Sequence, residues 1–552
     1  MSLINKTIGS LLEKQVHLHP NHEAIIYPDL HIRKTYKEFN ELVNQAAKGF
    51  LAIGVQKGDH VAIWSDNKLE WLISQFATGK IGAVLVTVNT NYQAFELEYL
   101  LKQSDSTTLI MAESYKGTSY VEIINKICPT LQQSKKGQLQ AKNLPFLKNI
   151  IMISNEKREY AYNFGEVMNL SNRTAETEFK AINKTLDAHE VINMQYTSGT
   201  TGFPKGVMLS HYNIVNNADQ IGNQMNLTYE DRLCIPVPFF HTFGCVLGIL
   251  TAVAKGATMV IVEQFHAEKV LKAVSAEKCT ALHGVPTMFI AELNHPNFDQ
   301  YDLSHLRTGI MAGSTCPIEV MRDVMTKMGA SEITIAYGLT ESSPVITQTK
   351  VDDPIELKVS SVGRAHPNVE VKIIDPHTGS ELPPNEQGEL LTRGYHVMKG
   401  YYKNDEATIE VINEDGWLHS GDLATVDENG YYTITGRIKD VIIRGGENIY
   451  PREIEEFLYR HPDLLDVQVI GIPDEKYGEE IMACIILKED KMLTKSNIRD
   501  YCHNNISWHK VPKYIEFVDR YPMTASGKIQ KFKLREYAIE QLKIKSEVGQ
   551  RD

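Results

Sequence analysis

A segment rich in glycine and hydroxyl side chains, residues 197–206, constrains the fold of this chain more than any other stretch. The run 191–196 before it alternates apolar residues as a β-strand does, and an apolar pattern resumes after it at 207–209. Its glycines permit a tight turn that gathers backbone N–H groups at one point. The glycines and side-chain donors are Thr197, Ser198, Gly199, Thr200, Thr201, Gly202, Lys205 and Gly206. The sequence therefore predicts a polyphosphate-binding loop between two strands, the alternative being a plain surface loop.

The spacing Gly199-x-x-Gly202-x-x-Lys205 distinguishes this loop from the P-loop of nucleotide hydrolases, because no Gly-Lys-Ser/Thr unit opens a helix. The segment instead resembles the phosphate-binding signature of the adenylate-forming superfamily, which contains acyl-CoA synthetases, amino-acid adenylation domains and luciferases. The resemblance covers the chain from about residue 10 to about residue 540. It is closest to medium-chain acyl-CoA synthetases of the family member 2 type, through residues 91–99, 209–217 and 444–451.

The length of 552 residues exceeds one ordinary core and predicts two or more domains. With 57 basic and 69 acidic residues, the chain has a net charge of −12, which argues against a general nucleic-acid or anionic-membrane surface. An anionic ligand must therefore be bound by locally placed cations. Oligomerisation and peripheral membrane contact stay open.

The seven cysteines are scattered without a Cys-x-x-Cys pair, which predicts reduced thiols and neither a disulfide framework nor a zinc site. The N-terminal residues lack the apolar core or Arg-rich pattern of a targeting segment, so we expect a cytoplasmic protein. The most apolar window, 244–262, is interrupted at 255–257. It predicts a buried helix followed by a strand, not a membrane span.

Strand and helix patterns alternate in the first part of the chain. The predicted elements are, in order, a helix with Thr35 in its capping box, a strand at 61–64, a helix at 69–81 and a strand at 84–88. This alternation predicts an α/β fold with parallel sheets covered by helices. Residues 132–144 and 155–178 are weakly patterned, and we expect both to be surface excursions.

Beyond residue 363 the pattern changes to alternating strands and turns, with a hairpin signal at 427–430. This change predicts a β-rich subdomain over about 363–437, which completes an N-terminal domain of residues 1–437. Pro451 suits the start of a helix, and further strands follow it. Residues 438–552 are therefore predicted to form a small, mobile α+β domain.

A polar cluster follows the strand predicted at 332–336. Its members are Tyr337, Gly338, Thr340 and Glu341. They would lie at the carboxyl end of that strand, where open α/β sheets bind ligands. A ring, a glycine, a hydroxyl and a carboxylate suit stacking on a base and holding Mg²⁺, although Thr340 is also suited to capping a helix.

The resemblance implies a role for each residue that matches a family motif. ATP and AMP would be bound by the glycine-rich loop and by Gly313, Ser314, Tyr337, Gly338, Asp422 and Arg437. Thr197 and Glu341 would hold Mg²⁺, and His241 and Val285 would line the acyl pocket. Arg444, Gly445, Gly446 and Glu447 would bind CoA, with Lys439 as the hinge between the domains. The catalytic residues would be Thr340, Glu341 and Lys528. Whether His241 also transfers protons stays open, because a lone histidine on an apolar segment is usually structural.

The function implied is an ATP-dependent fatty acid–CoA ligase for medium- to long-chain acids. A free carboxylate is a poor electrophile, so adenylation would give acyl-AMP and pyrophosphate, after which CoA would displace AMP. The substrates would be fatty acid, ATP and CoA, with Mg²⁺ as the cofactor. Three alternatives stay open: a ligase for another carboxylic acid, an acyl-AMP ligase without CoA transfer, and a non-catalytic acyl- or nucleotide-binding protein.

Overall fold

A computed structural model describes residues 2–197, 204–313, 316–445, 447–474, 476–503, 505–524 and 527–548, with side chains up to residue 542. Strands and helices alternate as predicted: helix Leu69–Ile81 connects strands His60–Trp64 and Val84–Thr87. Helix Tyr36–Ala52 begins at the predicted capping box of Thr35. The predicted α/β class is confirmed.

One large sheet has eight strands. In spatial order they are β21 (Gly400–Tyr401), β11 (Lys205–Ser210), β10 (Val191–Thr197), β4 (Val84–Thr87), β3 (His60–Trp64), β5 (Thr108–Ala112), β8 (Asn149–Ile153) and β9 (Tyr162–Asn163). The strands from β10 to β9 are parallel, whereas β11 and β21 pair antiparallel. The glycine-rich loop therefore joins a central strand to an edge region of this sheet.

The second large sheet has nine strands. In spatial order they are β18 (Arg364–Ala365), β17 (Val345–Gln348), β16 (Thr334–Gly338), β15 (Thr308–Ala312), β14 (Ala281–Gly284), β12 (Arg232–Ile235), β13 (Thr258–Ile261), β1 (Glu23–Tyr27) and β2 (Ile32–Thr35). The strands from β16 to β1 are parallel. At the carboxyl edge of these strands, the loops that follow β12, β14 and β15 carry His241, Val285 and Gly313, and Tyr337 lies near the carboxyl end of β16 itself.

Two smaller sheets follow. The first is antiparallel and contains β19 (Val369–Ile374), β20 (Gly388–Gly394), β22 (Leu418–Val426) and β23 (Tyr432–Arg437). The second contains β24 (Ile442–Arg444), β25 (Glu447–Ile449), β26 (Leu464–Asp474), β27 (Gly478–Leu487) and β28 (Tyr514–Phe517). A separate hairpin pairs β6 (Ser114–Tyr115) with β7 (Thr118–Ser119). The β-rich region and the small α+β part are confirmed, and we call residues 442–548 the C-terminal unit and residues 2–437 the large unit.

The helices cover these sheets. They are α1 (Ile8–Leu18), α2 (Tyr36–Ala52), α3 (Leu69–Ile81), α4 (Ala94–Gln103), α5 (Tyr120–Ile127), α6 (Phe164–Asn169), α7 (Glu176–Lys184), α8 (His211–Gln224), α9 (Thr251–Lys255), α10 (Ala267–Ala276), α11 (Pro286–Leu293), α12 (Ile318–Lys327), α13 (Ile355–Ser360), α14 (Asp405–Val411), α15 (Pro451–Leu458), α16 (Lys495–His503) and α17 (Lys531–Val548). A π-helix, Phe243–Leu250, precedes α9.

Helix α2 illustrates how the apolar pattern fixes the packing. Tyr36, Phe39, Val43 and Phe50 recur at helical spacing, and all four are fully buried in the main core. Burying each such side chain contributes about 1.5–3 kcal/mol. This face therefore holds the helix onto the sheet.

The expectation that 155–178 is only a surface excursion is wrong. This stretch contains β9 and α6 and enters α7, and Phe164 and Val167 are buried in the main core. The apolar side chains are too few and too widely spaced to give a helical period. They nevertheless suffice for short elements that pack against α2.

The apolar window 244–262 forms the predicted buried helix and strand, with a π-helix in place of the first α-helical turns. No helix among the described residues has both the length and the apolarity to cross a bilayer. All seven cysteines are free and buried. The prediction that they form no disulfide framework agrees with this arrangement.

Candidate active site

The ends of the glycine-rich loop are fixed by an antiparallel pair of strands. β10 ends at Thr197, β11 begins at Lys205, and these two residues lie opposite each other. The residues between them, 198–203, lie outside the described ranges, as do Ser314 and Gly446. The roles of Ser198, Gly199, Thr200, Thr201, Gly202, Ser314 and Gly446 therefore stay predictions.

Lys205 and Glu341 meet at the ring of Tyr401. Lys205 Nζ lies 4.9 Å from the centroid of that ring. Tyr401 Oη donates a hydrogen bond to Glu341 Oε1 at 2.8 Å. The Glu341 backbone oxygen also accepts from the Met398 N–H at 2.9 Å. A cation at one end of the loop and a carboxylate beyond β16 are thus held close together.

Thr340 does not cap a helix. It lies in a single 3-10 turn, Thr340–Ser342, with Leu339 at the N-cap position. The Leu339 N–H donates to Ser342 Oγ at 2.9 Å. The predicted site role of Thr340 stays a prediction.

Tyr337, Asp422 and Arg437 form a hydrogen-bonded chain. Tyr337 Oη donates to Asp422 Oδ2 at 2.7 Å, and Arg437 Nε lies 2.9 Å from Asp422 Oδ1. Asp422 and Arg437 also face each other across β22 and β23. Burial and then the Asp422 charge raise the pKa of Tyr337 well above its usual range, so its hydroxyl stays protonated. The buried carboxylate is oriented by a donor on each oxygen.

Lys528 of the C-terminal unit reaches the large unit at Gly313. Its Cε lies 3.4 Å from the position that a Cβ would occupy on Gly313. That Cβ would also lie 3.1 Å from Val285 Cγ1, and Gly313 has a φ of 94°, which side-chain-bearing residues rarely adopt. Gly527 is equally close, because its Cβ would lie 3.1 Å from Val285 Cγ2. A side chain at residue 313 would therefore strain the backbone and crowd the lysine.

Lys528 shares its cleft with charged groups from three other elements. The Lys528 side chain is exposed to solvent, yet many protein atoms surround it. That burial, followed by the charge of Arg437, lowers the pKa of Lys528, while Asp422 and Glu341 oppose the shift. Two of the predicted ATP-binding residues, Asp422 and Arg437, thus share an electrostatic environment with the predicted catalytic lysine.

His241 faces the same cleft. Its Nε2 is buried and has no hydrogen-bond partner among the described residues. Its ring lies 4.3 Å from that of Phe240. Burial, and then the charge of Lys528, lower the pKa of His241 to about 3, so the imidazole is neutral at physiological pH. A neutral imidazole with an unpaired nitrogen is thus close enough to Lys528 for the lysine charge to affect its pKa.

Comparison with known proteins identifies the family of this chain. The model for the AMP-binding enzyme family matches residues 12–402, and that for the AMP-binding enzyme C-terminal domain matches residues 453–528. The chain belongs to the AMP-binding enzyme family. Residues 403–452, which lie between the two matches, include β22 and β23 of the β-rich sheet and β24 and β25 of the C-terminal unit.

The matches to individual proteins extend over nearly the whole of this AMP-binding enzyme. YngI of Bacillus subtilis (strain 168) is 58% identical over 544 residues, which are 99% of each chain. The mitochondrial medium-chain acyl-CoA ligase ACSF2 of Bos taurus is 42% identical over 99% of this chain and 89% of its own. The crystal structure of the anthranilate CoA ligase AuaEII in complex with anthranoyl-AMP has a TM-score of 0.84 at 28% identity, covering 98% of each chain. The chain is an AMP-forming acid–thiol ligase.

The segment predicted to bind CoA makes its contacts within the C-terminal unit of this AMP-binding enzyme. Arg444 Nε and Nη2 bind the two carboxylate oxygens of Glu480 at 2.7 and 3.0 Å. Gly445 has a φ of 60°, and a Cβ there would lie 3.1 Å from Tyr477 Cδ1. Glu447 is exposed. None of these residues contacts the Lys528 cleft within the part of the chain that the structure describes.

Lys439 lies in a 3-10 helix, Ile438–Asp440, between β23 and β24. It is exposed, and the C-terminal unit begins at Ile442 immediately after this helix. The position suits the predicted hinge, which stays a prediction.

Two residues around the site were not found from the sequence. Tyr401 contacts both Lys205 and Glu341, but no local sequence pattern distinguishes it from the other 24 tyrosines of the chain. His283 is buried on β14, where its Nε2 contacts Leu247 O at 3.1 Å and its Nδ1 accepts from the Ile310 N–H at 3.2 Å. It therefore ties the π-helix to β15. A polar residue inside an apolar strand was the one available signal for it.

Proposed function

We propose that this enzyme is a fatty acid–CoA ligase that activates medium- to long-chain acids through an acyl-AMP intermediate, releasing pyrophosphate and AMP. The observation that carries the proposal is the seating of Lys528 against Gly313, in one cleft with Glu341, Asp422, Arg437 and His241. In this position the lysine cation can stabilise the negative charge that develops when the acid's carboxylate attacks the α-phosphorus of ATP.

Apolar side chains close to His241 in the chain or in space support an aliphatic acyl group. Phe240, Val285 and Met288 are all buried, and the π-helix Phe243–Leu250 that follows His241 contains no charged or polar side chain except a thiol. Apolar side chains of this kind bind methylene groups by excluding water, at about 0.8 kcal/mol per buried CH₂. The neutral imidazole of His241 can donate one hydrogen bond to a carboxylate oxygen at the head of the chain.

In the first half-reaction, an oxygen of the fatty-acid carboxylate attacks the α-phosphorus of ATP and pyrophosphate leaves. Lys528 stabilises the charge on the reacting oxygens, and the glycine-rich loop with Lys205 holds the leaving phosphates. Asp422, fixed by Tyr337 and Arg437, accepts hydrogen bonds from the ribose hydroxyls. These roles follow the family motifs, and the shared cleft supports them.

The residues present fit Mg²⁺ as a cofactor. Glu341 Oε1 accepts from Tyr401, while Oε2 makes no hydrogen bond within the described ranges and can coordinate a metal. No group of three or more His, Cys, Asp or Glu side chains there is arranged to hold an ion. Mg²⁺ commonly uses one or two carboxylates together with substrate phosphates. Glu341 and Thr197 would hold it, and the ion would neutralise phosphate charge.

In the second half-reaction, the CoA sulfur attacks the acyl carbonyl of acyl-AMP and AMP leaves. We propose that the C-terminal unit turns about Lys439 between the two steps, so that the Arg444–Glu447 segment replaces Lys528 at the cleft. No covalent enzyme intermediate is needed, and the burial of all seven cysteines supports a mechanism without one. Free thiols of this kind also favour the cytoplasm as the working compartment.

The test is a panel of saturated acids from short to long chain, with CoA consumption and AMP formation measured together. We expect CoA consumption to equal AMP formation, and the highest kcat/KM for medium or long chains. A preference for aromatic or short acids would reject the acyl class. AMP formation without CoA consumption would reject the ligase. Lys528→Ala and the exposed Lys533→Ala serve as the inactive and matched control variants.

A further inference from the structure

The last residue of helix α4 contacts the chain on both sides of β11, the strand that begins with Lys205. Gln103 Oε1 accepts a hydrogen bond from Tyr196 Oη of β10. Gln103 Nε2 donates to the backbone oxygen of Tyr402, which directly follows β21, at 2.8 Å. In the sheet, β11 lies between β10 and β21. One glutamine side chain therefore joins the two neighbours of this strand.

The side chain of Tyr196 crosses β11 at Gly206. These two residues lie opposite each other in the antiparallel pair. A Cβ on Gly206 would lie only 3.2 Å from Tyr196 Cζ, so the ring lies directly over the glycine. On the far side of β11, the Tyr402 N–H donates to the Gly206 oxygen at 2.8 Å. The residue that follows Lys205 is thus contacted from both neighbouring segments.

Helix α4 also contacts the residue that precedes Lys205. Tyr99 Oη donates a hydrogen bond to the backbone oxygen of Pro204 at 3.2 Å. Tyr99 and Gln103 are four residues apart, which places them on the same face of the helix. Hydrogen bonds that start from one helix therefore reach the chain on both sides of the lysine.

The segment that carries Tyr401 depends on the same helix. β21 has only two residues and pairs with β11 through two residue pairs, which gives such a strand little stability of its own. Asp105, two residues after α4, accepts a hydrogen bond from Tyr402 Oη at 3.0 Å and forms an ion pair with Lys403. These contacts hold the Tyr401 ring, whose centroid lies 4.9 Å from Lys205 Nζ.

All of these contacts converge on the position of the Lys205 charge. Its Nζ forms no ion pair with any residue that the structure describes, so the place of the charge depends on where β11 begins. A side chain fixed in advance loses less conformational freedom when it binds a ligand. A shift of about 1 Å in a binding group can slow a reaction by about 10²-fold. The alternative is a purely structural role, in which the same hydrogen bonds only stabilise the sheet.

We propose that Gln103 is a positioning residue for acyl-AMP formation. By joining Tyr196 to Tyr402 across β11, it holds Lys205 where the lysine charge meets the phosphates of ATP. Tyr99 supports the same lysine from the other side. The inference rests on the proposed function, in which Lys205 holds the leaving phosphates. It adds a helix outside the cleft to the machinery of the first half-reaction.

The test measures pyrophosphate exchange at varied ATP concentration and, separately, thiolysis of preformed acyl-AMP. Gln103→Ala should raise the KM for ATP and lower kcat/KM for exchange by about 10- to 100-fold. The KM for the acid and the rate of thiolysis should not change. Tyr196→Phe removes only the hydroxyl and should give a smaller loss of the same kind. Lys102→Ala, an exposed position on α4, is the matched control and should behave like the unmodified enzyme.

A double-mutant cycle separates positioning from stability. In a Lys205→Ala background, Gln103→Ala should cause little further loss of exchange, because the group that it positions is already gone. The same fold-loss with and without Lys205 would overturn the inference. If Gln103→Ala does not fold, the cycle is measured with Tyr196→Phe.

Equal losses in exchange and thiolysis would also overturn the inference, because the defect would then lie in folding. An unchanged kcat/KM for exchange in Gln103→Ala would do the same while leaving the ligase function intact. If the unmodified enzyme catalyses no exchange with any acid, the proposed function fails together with this inference. That result appears in the unmodified enzyme itself, so the two kinds of failure are distinguishable.

Discussion

Lys528 and Arg444 belong to the same C-terminal unit but are held in opposite ways. The protein around Lys528 and, after it, the charge of Arg437 disfavour the charged form of the lysine and lower its pKa. The Lys528 Cε packs against Gly313 of the large unit. Arg444 is neutralised by the buried Glu480 and stacked on Tyr477, which raises its pKa through the Glu480 hydrogen bonds. A cation without a dedicated carboxylate can serve a substrate. One with a buried partner shapes the protein.

The largest expected change in activity comes from removing the charge of Lys528 in Lys528→Ala. Acyl-AMP formation should fall by about 10²-fold or more, because a positioned charge at a developing oxyanion is lost. Thioester formation from supplied acyl-AMP should be spared. Pyrophosphate exchange and thiolysis of acyl-AMP measure the two steps, with Lys533→Ala as the control. Equal loss in both half-reactions would contradict the assignment of Lys528 to acyl-AMP formation alone.

A second variant tests whether the two segments exchange places. Lys439→Pro would fix φ near −65° and remove an N–H, which should hold the C-terminal unit near one arrangement. Since Lys528 lies in the cleft in this structure, we expect adenylation to survive. Thioester formation should fall by an order of magnitude or more. Rates of each half-reaction give the answer, and small, equal effects would mean that the hinge lies elsewhere.

A smaller effect is expected on the large-unit side of the cleft. Glu341→Gln keeps the shape of the side chain but weakens metal binding, so turnover should need a severalfold higher Mg²⁺ concentration. The thermal unfolding temperature should barely change. Tyr401→Phe is the matched variant, since it removes only the hydroxyl that binds Glu341 Oε1. An identical Mg²⁺ dependence in Glu341→Gln and the unmodified enzyme would exclude this carboxylate from the metal site.

The last expected effect, the smallest at neutral pH, is the influence of buried histidines on the free energy of unfolding. Burial lowers the pKa of His211, His241, His366 and His396 to about 3 and that of His283 to about 4, from 6.5. The unfolded chain therefore binds more protons between about pH 6.5 and 4. Stability falls on acidification through that window, on the order of 1.4 kcal/mol per pH unit for each histidine.

All five histidines lie in the large unit, so acid should unfold it before the C-terminal unit. Thermal unfolding measured from pH 8 to pH 5 should show the large unit's transition moving to lower temperature. His366→Gln should make that shift shallower, and the exposed His31→Gln should not. The same slope in all three proteins would contradict the assignment.

Local patterns predicted much of the framework. The periodicity of residues 69–81 gave the bounds of α3, and the hairpin signal at 427–430 lies between β22 and β23. The π-helix was beyond reach, because its residues are apolar all round and carry no period that separates it from an α-helix. Short elements around Phe164 were missed for the opposite reason, since polar residues dilute their apolar pattern.

For the site too, local motifs were predictable from the sequence and contacts between distant segments were not. Motifs on single loops predicted Tyr337, Asp422 and Lys528, but the contacts that join them cross long stretches of chain. Tyr401 acquires its place only when β21 pairs with β11 and brings its hydroxyl to Glu341. Such a contact depends on the register of two distant strands. The sequence of either segment contains no trace of it.

The burial of every native thiol opens a direct way to watch the molecule move. Burial raises the pKa of Cys128 to about 11 and those of Cys245, Cys316, Cys484 and Cys502 to about 12, and the thiolate is the form that reacts. Maleimide dyes should therefore react very slowly with the native thiols. Cysteines placed at the exposed Ile409 and Met492 would be the sites of a donor and an acceptor fluorophore on the two units. Energy transfer between the two dyes would then follow each catalytic cycle in real time.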